Sequence, residues 1–301
     1  MNKPVNLLTL SYLTVDSIRE CGLSYWKDAW LRFCQNRLAM CGLILLTVFI
    51  AMAIVVPILS PYTYYETSLC VKNISPCKAH WFGTDELGRD LFTRVWWGAR
   101  ISLFVGIAAA IIDVVIGVLY GAYAGMIGGK CEEIMMRITD IFHSLPHLLI
   151  VILLMVVMKP GLFTILVALT ITGWINMARI IRGQILQIKN HDFVMAAYIL
   201  GASRMRVLFR HLIPNCIGSI VTTMTITIPA AIFSEAFLSF FGLGVQAPVA
   251  SWGTMASDGL AALRYYPWRL LFPALFISIT MLSFNLLGDG IRDSFDPRLR
   301  T

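Results

Sequence analysis

The chain has 301 residues, 58% hydrophobic and 14% charged, with a mean hydropathy of +0.75. Soluble domains hold about 45–50% apolar and about 25% charged residues, which excludes an ordinary cytosolic enzyme, a coiled coil and a disordered tail. The net charge of +7 would point to nucleic acid in a soluble protein. In a lipid-embedded chain it reads as topology, because Lys and Arg collect in cytoplasmic loops. Seven Cys occur without a CxxC pair, so neither a zinc nor a redox motif is indicated.

Residues 1–37 are mixed polar, basic and aromatic, and are expected as a cytoplasmic segment. A helix needs about 20 mostly apolar residues to cross about 30 Å of hydrocarbon. The first such run, 38–59, starts too late and runs too long for a cleaved signal peptide. An extracytoplasmic loop, 60–100, follows. It holds Cys70 and Cys77 around a short polar stretch, which suits a small disulfide clip in an oxidising compartment, with two free thiols as the alternative. Asp85, Glu86 and Asp90 mix there with Arg89 and Arg94. That pattern fits either a surface helix held by charge pairs or a contact surface.

The core, 101–290, is expected to hold five more spans: 101–124, 138–158, 161–181, 216–241 and 270–290. The first of these is broken only by Asp113, which either faces the bundle and bonds to a neighbouring helix, the favoured reading, or lines a path. In the next, His143 and His147 stand four apart, a spacing that nickel or zinc would accept. Pro146 interrupts them and no Cys or Glu completes a site, so they are read as structural, and no metal or cofactor is expected.

The connector 189–214 is long for a membrane loop. Asp192 can cap a helix through Ala196, Ala197 and Leu200, and Gly201 ends it. A second short helix carries Arg204, Arg206 and Arg210 and stops at Pro214. The pair suits a lipid surface or a cytoplasmic docking partner equally. Further on, Thr222, Thr223, Thr225 and Thr227 crowd one helix ahead of Pro229, Ser234 and Glu235. Such hydroxyls either bond back to their own helix or line a polar path. Thr222, Thr225, Ser234 and Glu235 are taken as the path set, with Glu235 favoured as a structural gating group. With the N-terminus inside, 16 of the 24 basic residues fall on the cytoplasmic side, which favours N-in and C-in and leaves 291–301 as a cytoplasmic tail. No GxxxxGK[ST] loop occurs, so any ATP hydrolysis belongs to another subunit and the chain itself is expected to be non-catalytic.

Five stretches carry a resemblance. Residues 193–203 (FVMAAYILGAS) continuing to 211–215 (HLIPN) resemble the EAA cytoplasmic loop of ABC-importer membrane subunits. Ala196, Ala197, Gly201 and Pro214 match, whereas Met195 replaces the usual Glu. Residues 24–40, 82–94 (FGTDELGRDLFTR), 235–244 (EAFLSFFGLG) and 285–293 (NLLGDGIRD) are similar to signatures of the C-type permease of the oligopeptide, dipeptide and nickel group.

The resemblance implies an all-α, polytopic type I importer fold with six transmembrane helices in a bacterial plasma membrane. It implies a heterodimer with a B-type permease, two cytoplasmic ATPase subunits and an extracytoplasmic substrate-binding protein. It makes Ala196, Ala197, Gly201, Ala202, Ser203, Arg204, Arg206, Arg210 and Pro214 the expected ATPase-coupling surface. The expected cargo is an oligopeptide or dipeptide. A nickel chelate, or a passive channel without an ATPase, is the alternative. Nucleic acid is not expected as a partner.

Overall fold

A computed structural model of the chain describes residues 25–295. The expectations for 1–24 and 296–301 lie outside the described residues. Helix α1 (Tyr25–Gln35) leads through Asn36 into α2 (Arg37–Leu59). The Asn36 side chain accepts from the Leu38 and Ala39 amides and so caps α2. Helix α3 (Leu91–Ile127) is followed by α4 (Gly129–Ser144), α5 (His147–Met158) and α6 (Leu162–Ile188). The connector holds α7 (Asp192–Ile199) and α8 (Arg204–Val207), then a π-helical turn at Leu208–Leu212. Helix α9 (Ile217–Phe240), the short α10 (Trp252–Ala261) and α11 (Trp268–Phe295) complete the described chain.

Among the described residues five helices, α2, α3, α6, α9 and α11, are long and apolar enough to cross a membrane. The sixth expected span is not one straight helix. Leu145 is extended and Pro146 stands at the N-cap of α5, because a proline ring disfavours helical backbone in the residue before it. The axes of the two pieces differ by 81°. At about 1.5 Å per residue the second piece spans only about 18 Å, short of the hydrocarbon thickness. The bent pair still has to carry the chain back across, because α3 and α6 run parallel.

That parallel pairing rests on three glycines. Gly117, Gly121 and Gly125 recur every four residues along one side of α3. A Cβ at each would meet, in turn, Met177 and the Trp174 carbonyl, the Ala178 backbone, then Ile185 and the Arg182 carbonyl. Removing the side chains brings the two backbones together, the usual solution where lipid gives no hydrophobic drive to associate. Helix α11 packs antiparallel to α9 and against α2: Gly288 lies on Thr225, Gly218 near Phe295 and Gly290 on Ala39. Both ends of the described chain therefore sit at the end of the bundle from which α7 and α8 project.

At the opposite end α3 begins ten residues earlier than expected, at Leu91. The loop before it is not a surface helix but a compact cap. Thr84 and Asp90 form an isolated antiparallel bridge. Gly88, at φ +72°, closes the turn; a Cβ there would overlap the Ser68 carbonyl. Asp90 accepts from the Thr93 amide at 2.8 Å and caps α3, while its other oxygen meets His80 Nδ1 at 3.0 Å. Beneath this cap Phe49, Trp96, Trp252 and Phe276 form an aromatic core, and Phe82 stacks on Phe272 with ring centroids 3.9 Å apart. Cys70 and Cys77 are free, exposed thiols, so the clip expected between them is not formed in this structure.

Candidate functional site: a projecting helix pair and a mid-bundle cavity

The projecting pair is built from two faces. Val194, Ala197, Val207, Leu208 and Leu212 are buried against Val118, Ala122, Met177, Ile181 and Ile185 of α3 and α6. The opposite face exposes Phe193, Met195, Tyr198, Met205 and Phe209. At its tip, Ile199 and Leu200 are 85% and 87% exposed. The turn between the helices holds its shape through its backbone. Gly201, at φ +83°, donates to the Tyr198 carbonyl and the Ala202 amide reaches back to Ala197 at 3.0 Å, a Schellman closure. Ser203 then caps α8 by accepting from the Arg206 amide. Arg204, Arg206 and Arg210 are exposed around this face, as are Ala196 and Pro214; Ala202 is half-buried. Ala197 belongs to the buried inner face. A sequence pattern scored on helical periodicity cannot show that the most exposed apolar side chains would gather at the glycine turn.

A second feature is a half-open cavity of about 440 Å³ between α3, α4, α5, α6 and α9. Its wall includes Asp113 of α3, His143 and His147 around the Pro146 break, Asn176 of α6, and Thr227 and Ser234 of α9. The residues expected along a path divide here. Ser234 is on the cavity, but Thr222, Thr225 and Glu235 are not part of its lining. Thr222 donates to the Gly218 carbonyl at 2.9 Å, and Thr225, buried under Gly288, donates to the Thr222 carbonyl at 2.8 Å. These are back-bonds to their own helix.

Glu235 is wholly buried. It accepts from Ser102 at 2.9 Å and Ser239 at 2.7 Å, and Ser251 in turn lies 3.3 Å from Ser239. That cluster ties α9 to α3 and to the start of α10. Asp113 reverses the sequence expectation: it faces the cavity, and its Oδ1 has no hydrogen-bond partner. His143 is exposed near the end of α4, while His147 opens α5 and meets Thr172 at 2.7 Å. The Pro146 break thus removes the shared helix face inferred from their spacing. Among the described residues no group of three His, Cys, Asp or Glu could hold a metal ion.

A bundle of apolar helices, a cavity with an acid and a few polar side chains in its wall, and an exposed apolar tip at one end together fit a polytopic membrane permease. Residues 117–301 match the family "Binding-protein-dependent transport system inner membrane component", and residues 24–76 match "N-terminal TM domain of oligopeptide transport permease C". The oligopeptide transport system permease protein OppC of Bacillus subtilis is 61% identical over 285 residues, covering 95% of this chain and 93% of that protein. The dipeptide transport system permease protein DppC of the same organism is 57% identical, covering 95% and 89%. OppC of Escherichia coli is 43% identical, covering 93% of each. Among solved structures, the MetNI methionine ABC transporter in inward facing conformations shares the fold at TM-score 0.54 and 18% identity, covering 66% of this chain and 95% of that one. The chain belongs to the binding-protein-dependent transport system inner membrane component family, and its fold is that of an ABC-importer permease.

Proposed function

We propose that this chain is the C-type half of the translocation pathway of an ATP-driven importer of oligopeptides or dipeptides. In this reading it pairs with a B-type permease, receives cargo from an extracytoplasmic binding protein, and is driven by two cytoplasmic ATPase subunits that seat on α7 and α8. The observation that carries the reading is the apolar tip at Ile199 and Leu200, held rigidly by a buried inner face. Exposed apolar surface of this kind marks a protein interface. The arginines beside it, and the excess of basic residues on the same side, support a cytoplasmic placement and hence N-in and C-in. The peptide cargo rests on relatives named for oligopeptide and dipeptide transport.

The test is reconstitution of the five-subunit importer in proteoliposomes with a labelled peptide and, separately, a nickel chelate. Leu200→Glu should abolish co-purification of the ATPase subunits and lower ATP-dependent peptide uptake by about tenfold or more, as for an interface anchor. Unchanged uptake and co-purification would sink the coupling role. Uptake of the chelate but not of peptide would sink the cargo.

A further inference from the structure

The cavity described above has a one-sided chemistry. Asp113 lies near the middle of α3, is 4% exposed, and leaves Oδ1 without a partner. A buried carboxylate with no counter-charge is among the costlier features a membrane protein can carry. The fold makes room for it: a Cβ at Gly173 would overlap the carboxyl group. Among the described residues neither Lys nor Arg lines the cavity. The hydroxyls near it have already spent their protons. Thr227 donates to the Thr223 carbonyl at 2.9 Å and Ser234 to the Ala230 carbonyl at 2.9 Å, so both turn lone pairs toward any ligand. His147 is engaged with Thr172. The wall is therefore rich in acceptors and carries one acid, with Asn176 and His143 supplying N–H donors beside it.

Such a wall suits a group with several N–H donors and a positive charge. About 440 Å³ also admits far more than a small inorganic ion, because pockets for organic ligands run from roughly 300 to 1,000 Å³. Peptides of any sequence with a free amino terminus share one such group, an α-ammonium with a pKa near ~7.7–8.0. We propose that Asp113, with Thr227 and Ser234, forms a station that binds the ammonium group of the peptide as it crosses. This inference rests on the peptide-import reading above. It gives a permease indifferent to side chains a way to hold its cargo by the end that all such cargoes share.

The test uses the complete importer in proteoliposomes. Ser234→Cys places a thiol on the cavity wall. Labelling at that position, followed by mass spectrometry, should be about tenfold faster with a cationic than with an anionic methanethiosulfonate, and Asp113→Asn should bring the two rates together. In parallel, Asp113→Asn should lower uptake of a lysine-free peptide with a free amino terminus by about tenfold. Asp113→Glu should restore much of it, and co-purification of all subunits should be unchanged. Using a lysine-free peptide separates the amino terminus from a side-chain ammonium. Equal labelling by both reagents, or full uptake with Asp113→Asn, overturns the station. Loss of the partner permease with Asp113→Asn also overturns it, by assigning the carboxylate to a subunit ion pair. A wild-type complex that imports no peptide overturns the peptide-import reading instead, and the reagent ratio then decides alone whether the cavity selects cations.

Discussion

Arg89 donates through Nε to Asp85 Oδ2 at 2.6 Å, four residues apart, yet no helix joins them. The pair is buried inside the turn that precedes α3, where Asp85 Oδ1 also accepts from the Leu87 and Arg89 amides, each at 2.9 Å. Arg94 lies 3.7 Å from the same carboxylate. Asp85 thus neutralises two buried guanidinium groups and shapes the turn that starts the longest helix.

Asp85→Ala would leave Arg89 and Arg94 without this counter-charge. Breaking a buried pair from one side costs about 3–5 kcal/mol. The expected outcome is a large drop in the thermal midpoint of the purified permease complex in detergent. A midpoint within experimental scatter of wild type would show that the cap does not stabilise the bundle.

The glycine seam makes a paired prediction. Gly121→Ala places a methyl group against the Ala178 backbone and should destabilise by about 1–3 kcal/mol, as overpacking does. Gly183→Ala, in α6 with nothing near its Cβ, should be neutral or stabilising by about 0.5–1 kcal/mol. The thermal midpoint should fall for Gly121→Ala and hold or rise for Gly183→Ala; movement of both downward by the same amount would remove the seam as the cause.

Gly201→Val tests the coupling turn. The position has open space around it but a positive φ, so the cost is conformational, about 1–2 kcal/mol. That is too little to unfold the bundle, but enough to reset the angle between α7 and α8. ATP-dependent peptide uptake should fall in vesicles while ATP hydrolysis persists. Uptake unchanged from wild type would mean the turn does not set the coupling geometry.

Glu235→Ala removes the acceptor shared by Ser102 and Ser239. Leaving such buried groups unpaired costs about 1–3 kcal/mol. Glu235→Gln retains one carbonyl acceptor and should lose less. Thermal midpoints should rank wild type, then the Gln variant, then the Ala variant. Because Glu235 is off the cavity, the Gln variant should keep peptide affinity while losing stability; loss of peptide affinity at wild-type stability would return Glu235 to the path.

Much of this architecture was legible in the chain. Long apolar runs announced five helices, and Gly201 marked the turn of the projecting pair, because a membrane span and a glycine turn are both local requirements; Asp192, expected as the cap of α7, instead lies in its first turn, and Pro214 falls inside a helical turn and does not end one. What failed was everything decided by a neighbour. The start of α3 lies at Leu91 because Asp90 caps it and Asp85 pairs with Arg89 inside a folded loop, which composition cannot reveal. Pro146 was noticed, but not the sharp bend it makes between two short helices. Thr222 and Thr225 looked like a polar wall, yet both hydroxyls are consumed by their own helix. Asp113 faces a cavity instead of pairing with a neighbouring helix, whereas Glu235, included in the path set but favoured as a structural group, is sealed among serines. Periodicity gives the faces of a helix but not what each face meets.

Helix α3 carries both the glycine seam and Asp113, and the seam's Gly121 lies eight residues further along, about 12 Å at the helical rise. The inner face of α7 and α8 rests on Val118 and Ala122 of that same helix. Backbones in direct contact have little slack, since no side chain remains between them to compress or rotate. If α7 and α8 seat an ATPase and the cavity holds cargo, as proposed, force applied at Leu200 reaches the acidic wall through a stiff rod, and the distance over which the two must communicate is about two turns of one helix.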